Sequence, residues 1–299
     1  MVKRTDVEFE VEGGVKLRAW LFVPEAGPGP FPAITMAHGY AGIRDMALEP
    51  YARAFADKGF VVLLHDHRGF GASGGVPRSD IDPWRQIADW RRAISFLESQ
   101  KAVDPKRIGL WGTSYAGGHA IVLGATDRRL KCVVAQVPTI SGFEQGRRRV
   151  APDAVAGLEQ AFAEDERGQL RGEPPRTLKV VGNDPAVAAT YRTQDAIDFY
   201  LQPIPDGLWD NQVTLRSGRA ARMYEPGTWV DRVSPTPLML IVAMSDTITV
   251  TDLALAAYEK ALEPKKLVTL PGGHFDPYLS RFAQSSGAAV DWFVTHLGN

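Results

Sequence analysis

The stretch from Lys106 to Gly118 leaves the backbone few choices. Ile108 to Trp111 read as a short buried strand, and from Tyr115 small and apolar residues run on through His119, Ile121, Val122 and Leu123 as a helix. Ser114 stands between them, with Gly112 two positions before it and Ala116 and Gly117 two and three after it. A strand that reverses sharply into a helix strains the residue at the turn and crowds its neighbours, so those neighbours must be small. The serine hydroxyl is then exposed above a sheet, with a helix N-terminus beneath it. The commoner pattern, G-x-S-x-G, has glycine where this chain has Ala116, and alanine is still small enough to fit. An ordinary Gly-rich turn can also hold a serine. The strand before it, the helix after it and the partners described below favour an activated serine at a nucleophile elbow.

The pattern around this elbow is strand, helix, strand. Val7 to Val11 and Leu17 to Val23 alternate across Gly13-Gly14 as a hairpin. Pro24 to Pro32 is a Gly- and Pro-rich loop, Ala33 to Ala37 a short strand, Leu48 to Lys58 a helix, and Phe60 to Leu64 a strand buried on both faces. Asp82 to Gln100 reads as a helix, with Pro83 in its first turn and Ile87, Trp90, Ile94 and Leu97 on one face. Lys131 to Val137 is the next strand. After Pro138 the rhythm stops, and it resumes with a strand at Pro237 to Ala243, a helix at Asp252 to Leu262, a strand at Lys266 to Leu270 and a closing helix at Tyr278 to Leu297. The expectation is an α/β fold: a mostly parallel eight-stranded sheet flanked by helices. Residues 1–138 and 233–299 form the core, and 139–232 an inserted, mostly helical cap with helix-like segments around 154–166 and 186–200.

The length of 299 residues, 44% of them apolar, suits one large domain carrying such an insertion. A net charge of −1 gives no field that favours nucleic acid or an anionic membrane. The one cysteine, Cys132, lies in an apolar run and reads as a core residue; no disulfide within the chain is possible, which fits a reducing, cytoplasmic setting. No signal peptide and no apolar run of membrane-spanning length is evident.

A serine hydroxyl needs a base, and the base needs an acceptor that fixes its tautomer. In open α/β sheets such groups sit just after strands, here in the order serine, acid, histidine. His274, in Gly272-Gly273-His274 after the final strand, is the expected base. His38 precedes the serine and suits a structural bond to nearby backbone. His65 and His67 lack a third metal ligand of suitable spacing and read as structural, His119 as a packed helix residue, and His296 as exposed. Asp246 follows a strand and lies 28 residues before His274, so it is the expected acid. Asp252 better suits the first turn of the next helix, Asp276 is too close to His274, and Asp210 and Asp231 belong to the cap. The backbone N–H groups of Tyr115 and of Tyr40, in His38-Gly39-Tyr40, are the expected oxyanion donors. The Tyr40 phenol either adds a donor or lines the acyl pocket. No metal or cofactor site is evident.

These residues, with Asp66-His67-Arg68-Gly69-Phe70-Gly71-Ala72-Ser73, resemble the α/β-hydrolase superfamily over the whole chain except the cap. The Ser-Tyr-x-Gly-Gly elbow and the His-Gly-Tyr loop are similar to those of dienelactone-hydrolase-like proteins, X-Pro dipeptidyl-peptidase-like and cocaine-esterase-like hydrolases, and fungal polyketide transferases. The resemblance implies cofactor-free acyl transfer from a small-molecule ester, lactone, thioester or amide. Dienelactone hydrolase has a cysteine nucleophile, so its activity does not carry over. The main expectation is hydrolysis; acyl transfer to another acceptor and a non-catalytic binding protein are the alternatives. Of the cap aromatics Phe143, Phe162, Tyr191, Phe199, Tyr200, Trp209, Tyr224 and Trp229, most read as glue to the core, with a few lining an acyl pocket. Arg147-Arg148-Arg149 reads as a solvated face, and exposed cap surface leaves a homodimer open.

Overall fold

Runs of five or six apolar residues have no polar face to offer water, so they become strands covered on both sides. All five residues at 61–65 and all six at 238–243 are buried in the computed structural model, which describes residues 1–25 and 27–298. In chain order the strands are β1 (Val2–Val11), β2 (Val15–Pro24), β3 (Phe31–Ala37), β4 (Val61–His65), β5 (Val103–Thr113), β6 (Leu130–Gln136), β7 (Thr177–Val181), β8 (Ala189–Tyr191), β9 (Val213–Thr214), β10 (Leu238–Ala243) and β11 (Lys265–Leu270). The helices are α1 (Glu49–Ala56), α2 (Pro83–Glu98), α3 (Tyr115–Thr126), α4 (Gly142–Arg149), α5 (Val155–Leu170), α6 (Gln194–Tyr200), α7 (Leu215–Arg222), α8 (Thr251–Lys260) and α9 (Phe282–Leu297). The Gly- and Pro-rich loop expected at 24–32 contains Ala26, which lies outside the described residues.

The main sheet has eight strands in the order β1-β2-β4-β3-β5-β6-β10-β11. The β1–β2 hairpin and the β2–β4 pairing are antiparallel, and every other neighbour is parallel. Parallel strands point their carboxyl ends to one edge, so the loops after β3, β5, β10 and β11 meet there. α2 starts as its sequence dictates: the Asp82 side chain accepts the N–H groups of Trp84 and Arg85, and Pro83 opens the helix. Its face of Ile87, Trp90, Ile94 and Leu97 is fully buried. α3 is buried nearly all round, because the sheet covers one side and the segment between β6 and β10 the other. Among the described residues no helix is long and apolar enough to cross a membrane.

The segment between β6 and β10 departs from the mostly helical expectation. It holds α4 to α7, and also a three-stranded sheet, β8-β7-β9. These strands are two to five residues long, too short to show an alternation in sequence. The helix expected at 186–200 is β8 followed by α6, which begins only at Gln194. The closing helix starts at Phe282 rather than Tyr278, because Asp276–Tyr278 is a separate tight turn containing Pro277. His296 is half-buried against Trp292, with ring centres 4.1 Å apart, not exposed.

Under the edge that carries the site, four buried imidazoles pack together: His38–His67 at 4.6 Å, His65–His67 at 5.2 Å and His67–His119 at 5.7 Å. Burial and, for three of them, the other rings hold them neutral. His38 is pulled from its ordinary value of 6.5 down to about 4, chiefly by burial and against the pull of its bond to Gly39. His65 and His119 fall to about 3, and His67 well below the ordinary range, again chiefly by burial. The unfolded chain binds these protons and the fold does not, so stability is complete above about pH 6.5 and is lost as pH falls toward 4. Each ring adds a slope approaching about 1.4 kcal/mol per pH unit. Urea unfolding at pH 7 and pH 5 should therefore give a markedly lower midpoint at pH 5; equal midpoints would contradict this account.

Candidate active site

β5 ends at Thr113 and α3 begins at Tyr115, so the chain reverses within Ser114 alone. Ser114 takes φ 57°, ψ −120°, a conformation that costs a non-glycine residue on the order of 1–3 kcal/mol. Its N–H donates to the Gln136 carbonyl at 2.8 Å, and its own carbonyl accepts from Gly117 and Thr139, each at 2.9 Å. Any side chain at Gly112 would run into the Ala116 backbone and lie 2.9 Å from the Ala120 Cβ, which is why the position is glycine. Beneath the turn, Gln136 donates to Thr113 Oγ1 at 3.2 Å, and Thr113 bonds the Tyr278 hydroxyl. That buried network ties the elbow to the loop that carries His274.

The structure brings Ser114, His274 and Asp246 together. His274 Nε2 lies 3.0 Å from Ser114 Oγ, and its Nδ1 lies 2.7 Å from Asp246 Oδ2. With Asp246 accepting, the proton sits on Nδ1 and Nε2 is free to accept from the serine. All three residues are buried. Burial pushes the Asp246 carboxyl up, but the His274 ring and the Thr249 donors outweigh it and hold it near 2, so it stays ionised. Asp246 Oδ1 accepts the N–H groups of Ile248 (2.7 Å) and Thr249 (2.9 Å), and Oδ2 accepts the Thr249 hydroxyl (2.8 Å). The turn is tight enough to put Val250 at φ 66°, an outlier for a β-branched residue. Asp252 is in the first turn of α8 and Asp276 accepts the Gly273 N–H at 2.7 Å, so neither displaces Asp246.

The loop after β3 passes directly over the serine. A Cβ on Gly39 would stand 2.8 Å from Ser114 Cβ and 3.2 Å from its Oγ. His38 Nε2 accepts the His67 N–H at 3.0 Å, so the proton is on Nδ1, which donates to the Gly39 carbonyl at 3.0 Å. In a trans peptide the Gly39 carbonyl and the Tyr40 N–H point opposite ways, so this bond also aims the Tyr40 N–H. On the far side, the Tyr200 hydroxyl donates to the Tyr40 carbonyl (2.6 Å) and Trp209 Nε1 to the Ala41 carbonyl (2.7 Å). Among the described residues no backbone carbonyl takes the N–H of Tyr40 or of Tyr115. The Tyr40 ring stands edge-on to Tyr115 at 5.5 Å and forms a wall of the chamber beside Ser114.

That chamber has a volume of about 430 Å³ and runs between Ser114 and the segment from β6 to β10. On the His274 side there is only a void of about 20 Å³, room for a single water. Phe162 and Tyr191 line the chamber, while Phe199 stacks on Phe275 at 4.5 Å and Tyr224 bonds His119. Phe143 is exposed and neither glues nor lines. The arginine run divides: Arg147 pairs with Glu144 and Arg148 with Asp252, but Arg149 lines the chamber. Sequence reasoning missed Thr249; Tyr200 and Trp209, read as glue to the core, do tie to it, but their hold on the loop over Ser114 was not foreseen. Thr249 had a signal, since a hydroxyl three residues after an aspartate often closes an Asx-type turn; which loop the two aromatics meet, across about 160 residues, had none.

The sheet order, the elbow and the loops gathered at one edge define an α/β-hydrolase, an enzyme that acts on acyl bonds. The family model for X-Pro dipeptidyl-peptidase (S15 family) matches residues 13–276, and the chain belongs to that family. It is 32% identical over 277 residues to the quorum-quenching protein AidA of Acinetobacter baumannii, covering 92% of this chain and 88% of that one. It is 29% identical over 282 residues to a thiohydrolase of Eupenicillium brefeldianum, covering 92% and 89%. The crystal structure of the α/β-hydrolase GrgF from Penicillium superposes with a TM-score of 0.86 at 27% identity, over 99% of this chain and all of that one. If Gly39 must let the backbone approach Ser114, Gly39→Ala should lower acyl-bond cleavage on the order of 10²-fold while the melting temperature moves little. Activity within a factor of two of the parent would show that the approach is not needed.

Proposed function

We propose that the chain is a serine acyl hydrolase in which Ser114 is the nucleophile, His274 the base and Asp246 the residue that orients it. The observation that carries the reading is the unbroken chain of hydrogen bonds from Asp246 through His274 to a serine held in a strained turn. Ser114 Oγ attacks the substrate carbonyl as His274 Nε2 takes its proton. The Tyr40 and Tyr115 N–H groups receive the oxyanion. His274 returns the proton to the leaving group, then activates the water that releases the acid. Asp246 stays ionised throughout and stabilises the imidazolium each time it forms. Residues 139–232 act as a cap on a core of 1–138 and 233–299, and a small-molecule ester or thioester enters between them.

Transfer to an acceptor other than water is the second reading. It is favoured by the 31% identity, over 98% of this chain, to a protein named a polyketide transferase. Both readings use the same acyl-enzyme, so product analysis with an alcohol present decides between them. Neither needs a metal or an organic cofactor.

Ser114→Ala should cut hydrolysis of a p-nitrophenyl ester by on the order of 10⁴ or more and abolish labelling by a fluorophosphonate probe. Retained turnover would reject Ser114. Tyr200→Phe removes the donor to the Tyr40 carbonyl and should lower kcat about tenfold with KM nearly unchanged, since the loop it steadies acts on the oxyanion rather than on ground-state binding. A rise in KM alone would assign Tyr200 to substrate contact instead.

A further inference from the structure

The chamber wall is unusual in its charge. Three arginines line it, Arg149, Arg192 and Arg222, and among the described residues no aspartate or glutamate does. Most other arginines of the same segment find carboxylates: Arg147, Arg148, Arg171, Arg176, Arg216 and Arg219 are ion-paired, while Arg167 and Arg232 are not in ion pairs among the described residues. None of the three chamber arginines has such a partner among the described residues. Arg149 Nη2 donates to the Ile248 carbonyl at 3.0 Å, with its guanidinium 5.1 Å over the Tyr191 ring. Arg192 donates to the carbonyls of Asp184 and Val187 at the chamber mouth. Arg222 Nη1 is buried with no hydrogen-bond partner among the described residues. The missing side chain of Gly146 makes its seat: a Cβ there would lie 3.0 Å from Nη1. Arg149 and Arg222 close α4 and α7, and the helix-end carbonyls offset part of their charge. They do not give Nη1 an acceptor, and a buried unpaired donor on a charged group is costly.

The position of the chamber says which half of a substrate meets this charge. A leaving group must lie where His274 Nε2 can protonate it. Ser114 and Tyr40 border both cavities, Tyr115 the chamber, and His274 the small void. The void has room for one water, so of the two cavities that meet Ser114 the chamber alone can hold an acyl chain, which then extends toward the arginines. We propose that the enzyme selects acyl substrates whose acyl chain carries a carboxylate away from the scissile carbonyl, bound by Arg222 with Arg149 and Arg192 toward the mouth. This rests on the reading of Ser114 as nucleophile. A guanidinium supplies paired N–H donors that match a carboxylate and completes the donor inventory of Arg222.

The test compares mono-p-nitrophenyl esters of adipate, suberate and sebacate with methyl-ended esters of equal chain length. The half-esters should have kcat/KM about 10- to 100-fold higher at low salt, the range of one charge-assisted hydrogen bond, and added salt should narrow the gap. Arg222→Gln should bring the ratio near one, and Arg222→Glu should shift preference to an ester with a trimethylammonium tail, a gain that misfolding cannot produce. Equal rates for both esters in the parent, or an Arg222→Gln variant that lowers both by one factor, would overturn the proposal. So would discrimination seen only when the carboxylate is placed on the phenol leaving group. Should Arg222 variants not fold, protection of Ser114 from fluorophosphonate by suberate, but not by the corresponding diol, decides in the parent enzyme. No labelling and no ester cleavage at all would instead sink the serine-hydrolase reading. Labelling with full turnover of neutral esters and no charge preference would sink the carboxylate subsite alone.

Discussion

The site depends on one strained residue. Ser114 sits at φ 57° because the chain must leave β5 and enter α3 with no residue to spare. That strain persists only because the surroundings over-determine it. Gln136 and Thr139, from the end of β6 and just beyond, hold both sides of the Ser114 peptide. The segment between β6 and β10 departs from the same place. The backbone that fixes Ser114 is thus also the point from which the segment walling the chamber departs.

That coupling recurs at the loop over the serine. His38 clamps the Gly39 carbonyl from the core, and Tyr200 and Trp209 clamp the next two carbonyls from the opposite side. The Gly39–Tyr40 and Tyr40–Ala41 peptides are thereby held from both directions. Phe199, on the same short helix as Tyr200, stacks on Phe275 beside His274. One helix, α6, therefore touches the loop over Ser114 and the loop that carries His274. Preorganised donors stabilise charge best when they do not have to move, and this arrangement limits movement.

The main sheet was legible because its signals are local and repeated. Each strand is a short apolar run, each crossover helix has one apolar face, and the elbow needs small residues at fixed offsets. That Ser114, His274 and Asp246 would meet could be read because an open parallel sheet puts such groups after particular strands in a particular order. What the sequence did not reveal depends on distant contacts. β7, β8 and β9 are strands only because they pair with one another, and two to five residues carry no period. Arg149 sits in a run of three identical residues, yet its neighbours face Glu144 and Asp252 while it faces the chamber. A helical rotation of about 100° per residue separates them, and no composition rule says which one turns inward.

The histidines show how far surroundings outrank residue type. Five imidazoles are buried, and they differ in what stands beside them. His65 and His67 have aromatic rings around them and no hydrogen-bond partner for their side chains among the described residues. His119 is held by the neutral groups of Gln86 and Tyr224, and His38 by backbone. None of these four has a counter-charge, so protonation would place an uncompensated cation in a dry interior. Only His274 among them hydrogen-bonds a carboxylate, and that carboxylate is itself held ionised by three further donors. An imidazole that takes up a proton needs a counter-charge, and among the five buried rings Asp246 supplies one to His274 alone. The proposal of His274 as base therefore rests on the carboxylate beside it as much as on its distance from Ser114.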